Sequence, residues 1–100
     1  MRGIVIDPGA KPELYRLPDT LQELQRFMGG YAQRCPISNR FAALFYLPQA
    51  GQSLPTRHYK GRWFYGWLCL VGWRNARMTD LPKPLAEELL QKFTPVEVTP

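Results

Sequence analysis

The chain has 100 residues, of which 45% are apolar and 13% aromatic, and its net charge is +5. This apolar content is too high for a disordered chain, and the length suits one domain with one core. Its most apolar stretch, residues 63–73, falls short of the about 20 residues that a membrane-spanning helix needs. We therefore predict one folded domain over residues 1–100, with no membrane segment and with residues 96–100 as a frayed tail.

The charges are unevenly distributed along the sequence. All eight acidic residues lie before residue 24 or after residue 79. The span between them carries only cations, namely Arg26, Arg34, Arg40, Arg57, Lys60, Arg62, Arg74 and Arg77. Such asymmetry favours an anionic partner, while a solvated face that keeps the protein soluble is the alternative.

Two paired strands are predicted at the start of the chain. Residues 3–6 form a short β-branched run that Asp7-Pro8-Gly9 ends, and residues 13–17 then alternate polar and apolar side chains up to Pro18. Alternation followed by a proline is typical of a strand and its end.

A helix over residues 19–28 follows. Asp19 and Gln22 have the spacing of a capping box, and Gly29-Gly30 offers the left-handed conformation that ends helices. Five apolar residues fall at helical spacing on one face: Leu21, Leu24, Phe27, Met28 and Tyr31. This face is predicted to pack on the sheet.

The middle of the chain contains several strand-like runs. Residues 31–35 favour a strand, and residues 41–47 fit either a central strand or a buried helical turn. Residues 48–55 are typical of a turn and a return segment. Residues 63–73 favour a core strand that bends at a glycine. The sheet is predicted to centre on this strand.

Alternation along residues 63–73 predicts a face with three tryptophans. The side chains on that face are Trp63, Tyr65, Trp67, Cys69, Val71 and Trp73. With Arg62 and Arg74 at its ends, a partly open face would suit stacked bases and phosphates. Alternatively, both faces of the strand are buried and the tryptophans belong to the core.

A second helix is predicted from about Leu81 to Phe93. Pro82 and Pro84 are tolerated only in a first helical turn, and Leu85, Leu89 and Phe93 recur every four residues. The predicted fold class is therefore α+β, with a small antiparallel sheet packed with two helices.

Residues 19–25 together with Met28-Gly29-Gly30-Tyr31 resemble the signature of a family of short bacterial and phage proteins of unknown function. Pro8-Gly9, Leu54-Pro55 and the closing helix follow in the order found in that family. The chain departs from the family's polar turn at residues 47–51. The resemblance implies a phage or mobile-element setting and an α+β fold, and it implies no activity.

Residue types that carry out catalysis or bind metals are sparse. His58 is the only histidine, and neither Cys35 nor Cys69 lies at metal-ligand spacing from it. Cys69 lies inside the most apolar run, where a buried thiol is inert. We predict no catalytic residue, no metal site and no cofactor. The cysteine usage favours a reducing cytoplasm, and the family resemblance implies that it is the cytoplasm of a bacterial host cell.

Since no catalytic residue is predicted, we expect a non-enzymatic binding protein. The phage or mobile-element setting that the resemblance implies makes it an antagonist of a bacterial defence system whose partner is a host protein. A nucleic-acid or nucleotide-binding module is the alternative. Tryptophan, tyrosine and arginine supply most hot spots of protein interfaces and also bind bases and phosphates. The predicted binding residues are Arg57, Lys60, Arg62, Trp63, Tyr65, Trp67, Arg74 and Arg77. The sequence leaves the oligomeric state open.

Overall fold

A computed structural model describes residues 1–37, 41–48 and 55–95. Most of the predicted turn at residues 48–55 therefore lies outside the described residues. The predicted tail at residues 96–100 lies entirely outside them. The elements in chain order are β1 (Arg2–Ile6), β2 (Glu13–Arg16), α1 (Leu21–Met28), β3 (Gln33–Ile37), β4 (Ala42–Tyr46), β5 (Pro55–Tyr59), β6 (Arg62–Tyr65), β7 (Leu68–Arg74), β8 (Arg77–Thr79) and α2 (Lys83–Lys92).

A six-stranded antiparallel sheet organises the fold. Its strand order is β2-β1-β7-β4-β3, and β8 pairs with the last residues of β7. Strand β7 thus pairs with three neighbours, which confirms that the sheet centres on the second half of residues 63–73. The run at residues 41–47 is a central strand, because β4 lies between β7 and β3.

The predicted fold is confirmed in its coarse form. An antiparallel sheet and two helices build a single domain, and β1 and β2 are paired as expected. The described residues contain eight strands, however, two of which form a separate sheet of β5 and β6. The protein is therefore richer in strand than the predicted small sheet with two helices implies.

The prediction of one strand over residues 63–73 is wrong. Gly66 has φ 75°, a left-handed conformation that breaks the extended chain, and β6 and β7 lie in different sheets on either side of it. Strand alternation does not continue through such a break. The face with three tryptophans consequently does not form.

Each face of the main sheet buries its own apolar cluster. On β7, Leu68 and Leu70 point to the face that α2 covers, whereas Cys69 and Val71 point to the face that α1 covers. The β5–β6 hairpin lies on the α2 side, where Phe64 and Tyr59 join the cluster. We call the two sides the α2 face and the α1 face.

Helix α1 begins one residue later than the predicted capping box requires. The side chain of Thr20 accepts a hydrogen bond from the backbone N–H of Glu23, whereas Asp19 accepts one from the amino group of Met1 at 3.1 Å. The helix ends as predicted, because Gly29 has φ 99°. Leu24 is fully buried against the sheet, but Leu21 is 46% exposed, so the predicted apolar face is only partly covered.

Helix α2 agrees closely with its sequence pattern. Pro82 is the N-terminal cap residue and Pro84 lies in the first turn, where a missing N–H costs nothing. Leu89 and Phe93 are buried on the sheet, and Leu85 is half-buried beside them. Neither helix among the described residues is long and apolar enough to cross a membrane.

Candidate binding groove

Arg57, a predicted binding residue, lies inside the protein and not on its surface. It is 1% exposed. Its guanidinium donates to the carbonyl oxygens of Phe93 and Thr56, at 2.6 Å each, and to that of Ala10. These bonds join β5 to the end of α2 and to the turn between β1 and β2. Arg57 therefore stabilises the fold and does not line a binding surface.

The β5–β6 hairpin carries three more of the predicted residues. Lys60 lies in its turn, with its ammonium 5.5 Å from the ring of Tyr59. The exposed Arg62 stacks its guanidinium over Tyr46 at 4.6 Å and donates a hydrogen bond to that residue's hydroxyl at 2.5 Å. Trp63 is half-buried against His58, with the ring centroids 4.7 Å apart.

Tyr65 and Trp67 lie on either side of the break at Gly66. Tyr65 is half-buried at the end of β6. Trp67 contacts Phe27 of α1 edge to face, at a centroid distance of 5.9 Å. Trp63 and Trp67 thus belong to different sides of the sheet, and each already has an aromatic neighbour.

Arg74 and Arg77 are the two predicted residues that the fold brings directly together. They are opposite each other across the β7–β8 hairpin, and both are exposed. Arg62 lies far from them, at the other end of β4. It contacts Tyr46, the last residue of β4. The residue before β4, Phe41, accepts a backbone hydrogen bond from Trp73, which is next to Arg74. The predicted binding residues therefore do not form one surface.

A groove of about 790 Å³ lies between the start of α1 and the β7–β8 hairpin. We call it the α1 groove. Its walls include Leu21, Tyr31, Arg34, Trp73, Ala76 and Arg77. Of the predicted binding residues only Arg77 lines it. It combines a mostly apolar floor with cations at its sides, the arrangement of many binding sites.

Aromatic and cationic side chains fix the floor of the α1 groove. The guanidinium of Arg34 lies 4.4 Å from the ring centroid of Trp73, and the ring of Phe45 packs against the same tryptophan at 6.3 Å. Strand register explains the arrangement, because Arg34 is opposite Phe45 in the β3–β4 pair. A cation stacked on an indole holds both side chains in place.

Two apolar side chains at the rim of the groove remain uncovered. Tyr31 is 65% exposed, and Leu21 is exposed although helical periodicity places it on the apolar face of α1. Helical periodicity placed both on the apolar face of α1, and Leu21 was expected to pack on the sheet. The helix ends at Met28, so Tyr31 lies beyond it and does not follow its periodicity, while Leu21 is its first residue.

The tip of the β7–β8 hairpin has an unusual turn. Asn75 and Ala76 have φ 52° and 60°, the geometry of a type I′ turn, whose second position favours glycine. A left-handed alanine costs about 1–2 kcal/mol relative to an unstrained conformation. Ala76 lines the α1 groove, so this strained residue lies at the candidate site.

A second depression, of about 900 Å³, lies beside the start of α2 and is lined by Phe41, Trp73, Arg74 and Glu88 among others. Among the described residues, two large exposed apolar side chains, Leu21 and Tyr31, line the α1 groove, whereas one, Phe41, lines this depression. We therefore take the α1 groove as the candidate site.

Metal-ligating and thiol side chains are the remaining candidates for chemistry among the described residues. They contain no group of three or more His, Cys, Asp or Glu side chains that could hold a metal ion. Burial raises the pKa of the Cys69 thiol to about 12, so this side chain stays protonated at neutral pH. Cys69 packs in the core, as predicted.

No family model, curated protein or solved structure matches the chain. The resemblance of residues 19–31 to a family of short bacterial and phage proteins stays a prediction.

Proposed function

We propose that this protein is a non-enzymatic binding protein that occupies the surface of a partner protein through the α1 groove. The observation that carries the proposal is the exposure of Tyr31 and Leu21 at the rim of a groove with arginines at its sides. A large apolar side chain left uncovered beside a concave surface is typical of an interface.

The residue types in the groove suit a protein partner. Tyr31, Trp73 and Arg34 belong to the three types that most often act as interface hot spots. Trp73 is held by Arg34 and Phe45, so it offers a rigid contact that loses little entropy on binding.

Charge indicates the kind of segment that would bind. Arg34 and Arg77 line the groove, and Asp19, which also lines it, is already hydrogen-bonded to the amino group of Met1. The net charge of the whole chain is +5. An acidic segment with an apolar anchor would therefore be attracted and would fill the groove.

The biological setting of the proposal rests on the family resemblance. We propose a phage or mobile-element accessory protein that works in the cytoplasm of a bacterial host and antagonises a defence component by covering its surface.

We also propose the α+β class, since one helix packs on each face of the main sheet.

A nucleic-acid or nucleotide-binding module is the second candidate. The observation that favours it is the pair Arg74 and Arg77, two exposed cations side by side on one hairpin. Against it, the three tryptophans contact Arg34, Phe27 and His58 within the chain and do not form a row of free stacking surfaces.

Affinity capture from a bacterial lysate at low and moderate salt tests the proposal. The wild type should retain a stoichiometric protein, Tyr31→Ser and Arg77→Glu should lose it, and Tyr31→Phe should keep it. Arg26→Glu is the charge-matched control, because Arg26 is exposed on α1 outside the groove.

The alternatives give different results in this experiment. Equal loss with Arg26→Glu and Arg77→Glu would show that net charge alone governs binding and would contradict a role for the groove. Retention of nucleic acid only, lost steeply as salt rises, would favour the second candidate, because counterion release drives phosphate binding.

A further inference from the structure

The two edges of the main sheet differ in how they are protected. At one edge, β3 contains Pro36, which has no backbone N–H to offer, and the exposed side chains of Gln33 and Arg34. Prolines and charges of this kind prevent edge-to-edge pairing. At the other edge, β2 has no proline, and its Leu14 and Tyr15 are 53% and 48% exposed. The exposed Glu13 and Arg16 also lie on β2, so the difference between the two edges is the proline, which only β3 contains.

The register of β2 shows which of its backbone groups point outwards. The N–H and C=O of Leu17 both form hydrogen bonds to Met1. Tyr15, opposite Gly3, and Glu13, opposite Val5, follow at two-residue steps, so their N–H and C=O groups also point towards β1. In an antiparallel ladder alternate residues bond to the same neighbour. The N–H and C=O of Leu14 and Arg16 therefore point away from β1. Among the described residues, no strand lies on that side of β2.

We propose that the β2 edge pairs antiparallel with the β2 edge of a second copy of this chain, which joins the two main sheets into one. A twofold axis perpendicular to the sheet keeps the two α1 faces on the same side. The axis passes between the two copies of Tyr15, and Leu14 of each copy is opposite Arg16 of the other. This register uses all four outward-pointing groups of each strand.

The side chains of β2 support a second copy as the occupant. Tyr15 lies on the α1 face, 5.5 Å from Phe27, which in turn contacts Trp67. Pairing two copies of Tyr15 across the axis joins both aromatic clusters into one row, and facing aromatic pairs stabilise strand pairing. On the other face, Leu14 meets the aliphatic stem of Arg16, and no like charges are directly opposite. The edge is thus complementary to itself.

Net charge gives this contact a distinctive salt dependence. Each copy carries a net charge of +5, so two copies repel each other at long range. Salt screens this repulsion, and the self-association should strengthen as salt rises. Binding of an acidic partner in the α1 groove should weaken over the same range. The two interactions rest on different residues and respond to salt in opposite directions.

Sedimentation equilibrium over a wide range of protein concentration tests the proposal. The wild type should pass from monomer to dimer, with association favoured by salt. Tyr15→Lys should raise the dissociation constant at least about tenfold. Leu14→Pro should abolish the dimer, because it removes an outward N–H and no bond to β1. Tyr31→Lys, a matched change at another exposed tyrosine, should leave the dimer intact, and circular dichroism of each variant checks its fold.

Cysteine cross-linking tests the register. In a Cys35→Ser background, Tyr15→Cys should form an intermolecular disulfide under mild oxidation, because the two positions face each other across the axis. Leu14→Cys should not, since position 14 lies diagonally across from its own copy, at about 7–8 Å. The remaining Cys69 is buried and does not interfere.

Three results would overturn the proposal. The first is a monomer at every concentration, and the second is a dimer that survives both Leu14→Pro and Tyr15→Lys. The third is a wild-type monomer that captures a different protein through the β2 edge, which would assign the edge to a foreign strand.

Discussion

The two faces of the main sheet contain similar apolar residues but are covered to different extents. The α2 face lies under a helix of ten residues and the β5–β6 hairpin, and Arg57 joins these parts to the turn between β1 and β2. The α1 face lies under a helix of eight residues, and Tyr15, Leu21, Tyr31 and Trp67 remain exposed around it.

This difference suggests that the α2 face contributes mainly to the stability of the domain and the α1 face mainly to binding. The α2 face leaves Leu14 of β2 exposed, but it is otherwise the more extensively covered of the two. A more extensively covered face contributes its buried area to folding, whereas a face covered by a short helix keeps apolar and cationic side chains available. The substitutions below test this contrast, starting with the largest expected effect.

Arg57→Leu should destabilise the covered α2 face by about 3–5 kcal/mol, because it leaves buried carbonyl groups without their donor. Urea denaturation measures the loss. Arg74→Leu, at an exposed arginine, should change the free energy of unfolding by no more than about 0.5 kcal/mol. Similar values for the two variants would contradict a structural role for Arg57.

Leu24→Ala should cost about 2–5 kcal/mol, because Leu24 is fully buried between α1 and the sheet. Leu21→Ala, one helical turn earlier, should cost less than about 1 kcal/mol and should weaken partner capture instead. Thermal unfolding and lysate capture of both variants measure the two effects. If both substitutions destabilise the protein equally, Leu21 belongs to the core and not to the groove.

Gly29→Val should cost about 1–2 kcal/mol or more, the cost of a side chain at φ 99°. A Cβ at this position meets no atom within 4 Å, so the loss arises from backbone strain alone. Gly30→Ala is the control, because Gly30 does not have a positive φ. Denaturation midpoints should separate the two variants, and partner capture should survive in the folded fraction of both.

Ala76→Gly should stabilise the protein by about 0.5–1 kcal/mol, because glycine relieves the left-handed conformation of the hairpin turn. The same change removes the side chain of a residue that lines the α1 groove, and it should weaken partner capture. A gain in melting temperature with weaker capture identifies a residue that the protein keeps for binding. Unchanged capture would exclude the methyl group from the interface.

Local sequence patterns predicted the elements whose causes are local. Gly29 ends α1 at the position where the sequence requires it, and Pro82 and Pro84 open α2. Apolar runs predicted β1 and a sheet centred on residues 63–73, of which β7 is the central part, and left residues 41–47, where β4 lies, open between a strand and a helical turn. The capping residue shifted by one position, because Thr20 and Glu23 form the cap that Asp19 and Gln22 were expected to form.

The candidate site was much less predictable than the elements. Of the cations between residues 24 and 79, Arg77 lines the α1 groove, whereas Arg57 is buried and Arg62 lies at the far end of β4. Tyr31 and Arg34 were not predicted as binding residues, because their position depends on contacts between strands that are distant in sequence.

The sequence by itself determined β1, β2 and the two helices, the glycine and proline boundaries and the uneven charge, because steric preferences and side-chain periodicity act over a few residues. Only the tertiary structure decided that Gly66 divides residues 63–73 between two sheets and that Arg57 faces inwards. It also decided that α1 leaves Leu21 and Tyr31 uncovered. Burial depends on which distant elements pack against a residue, and a single sequence does not contain that information locally.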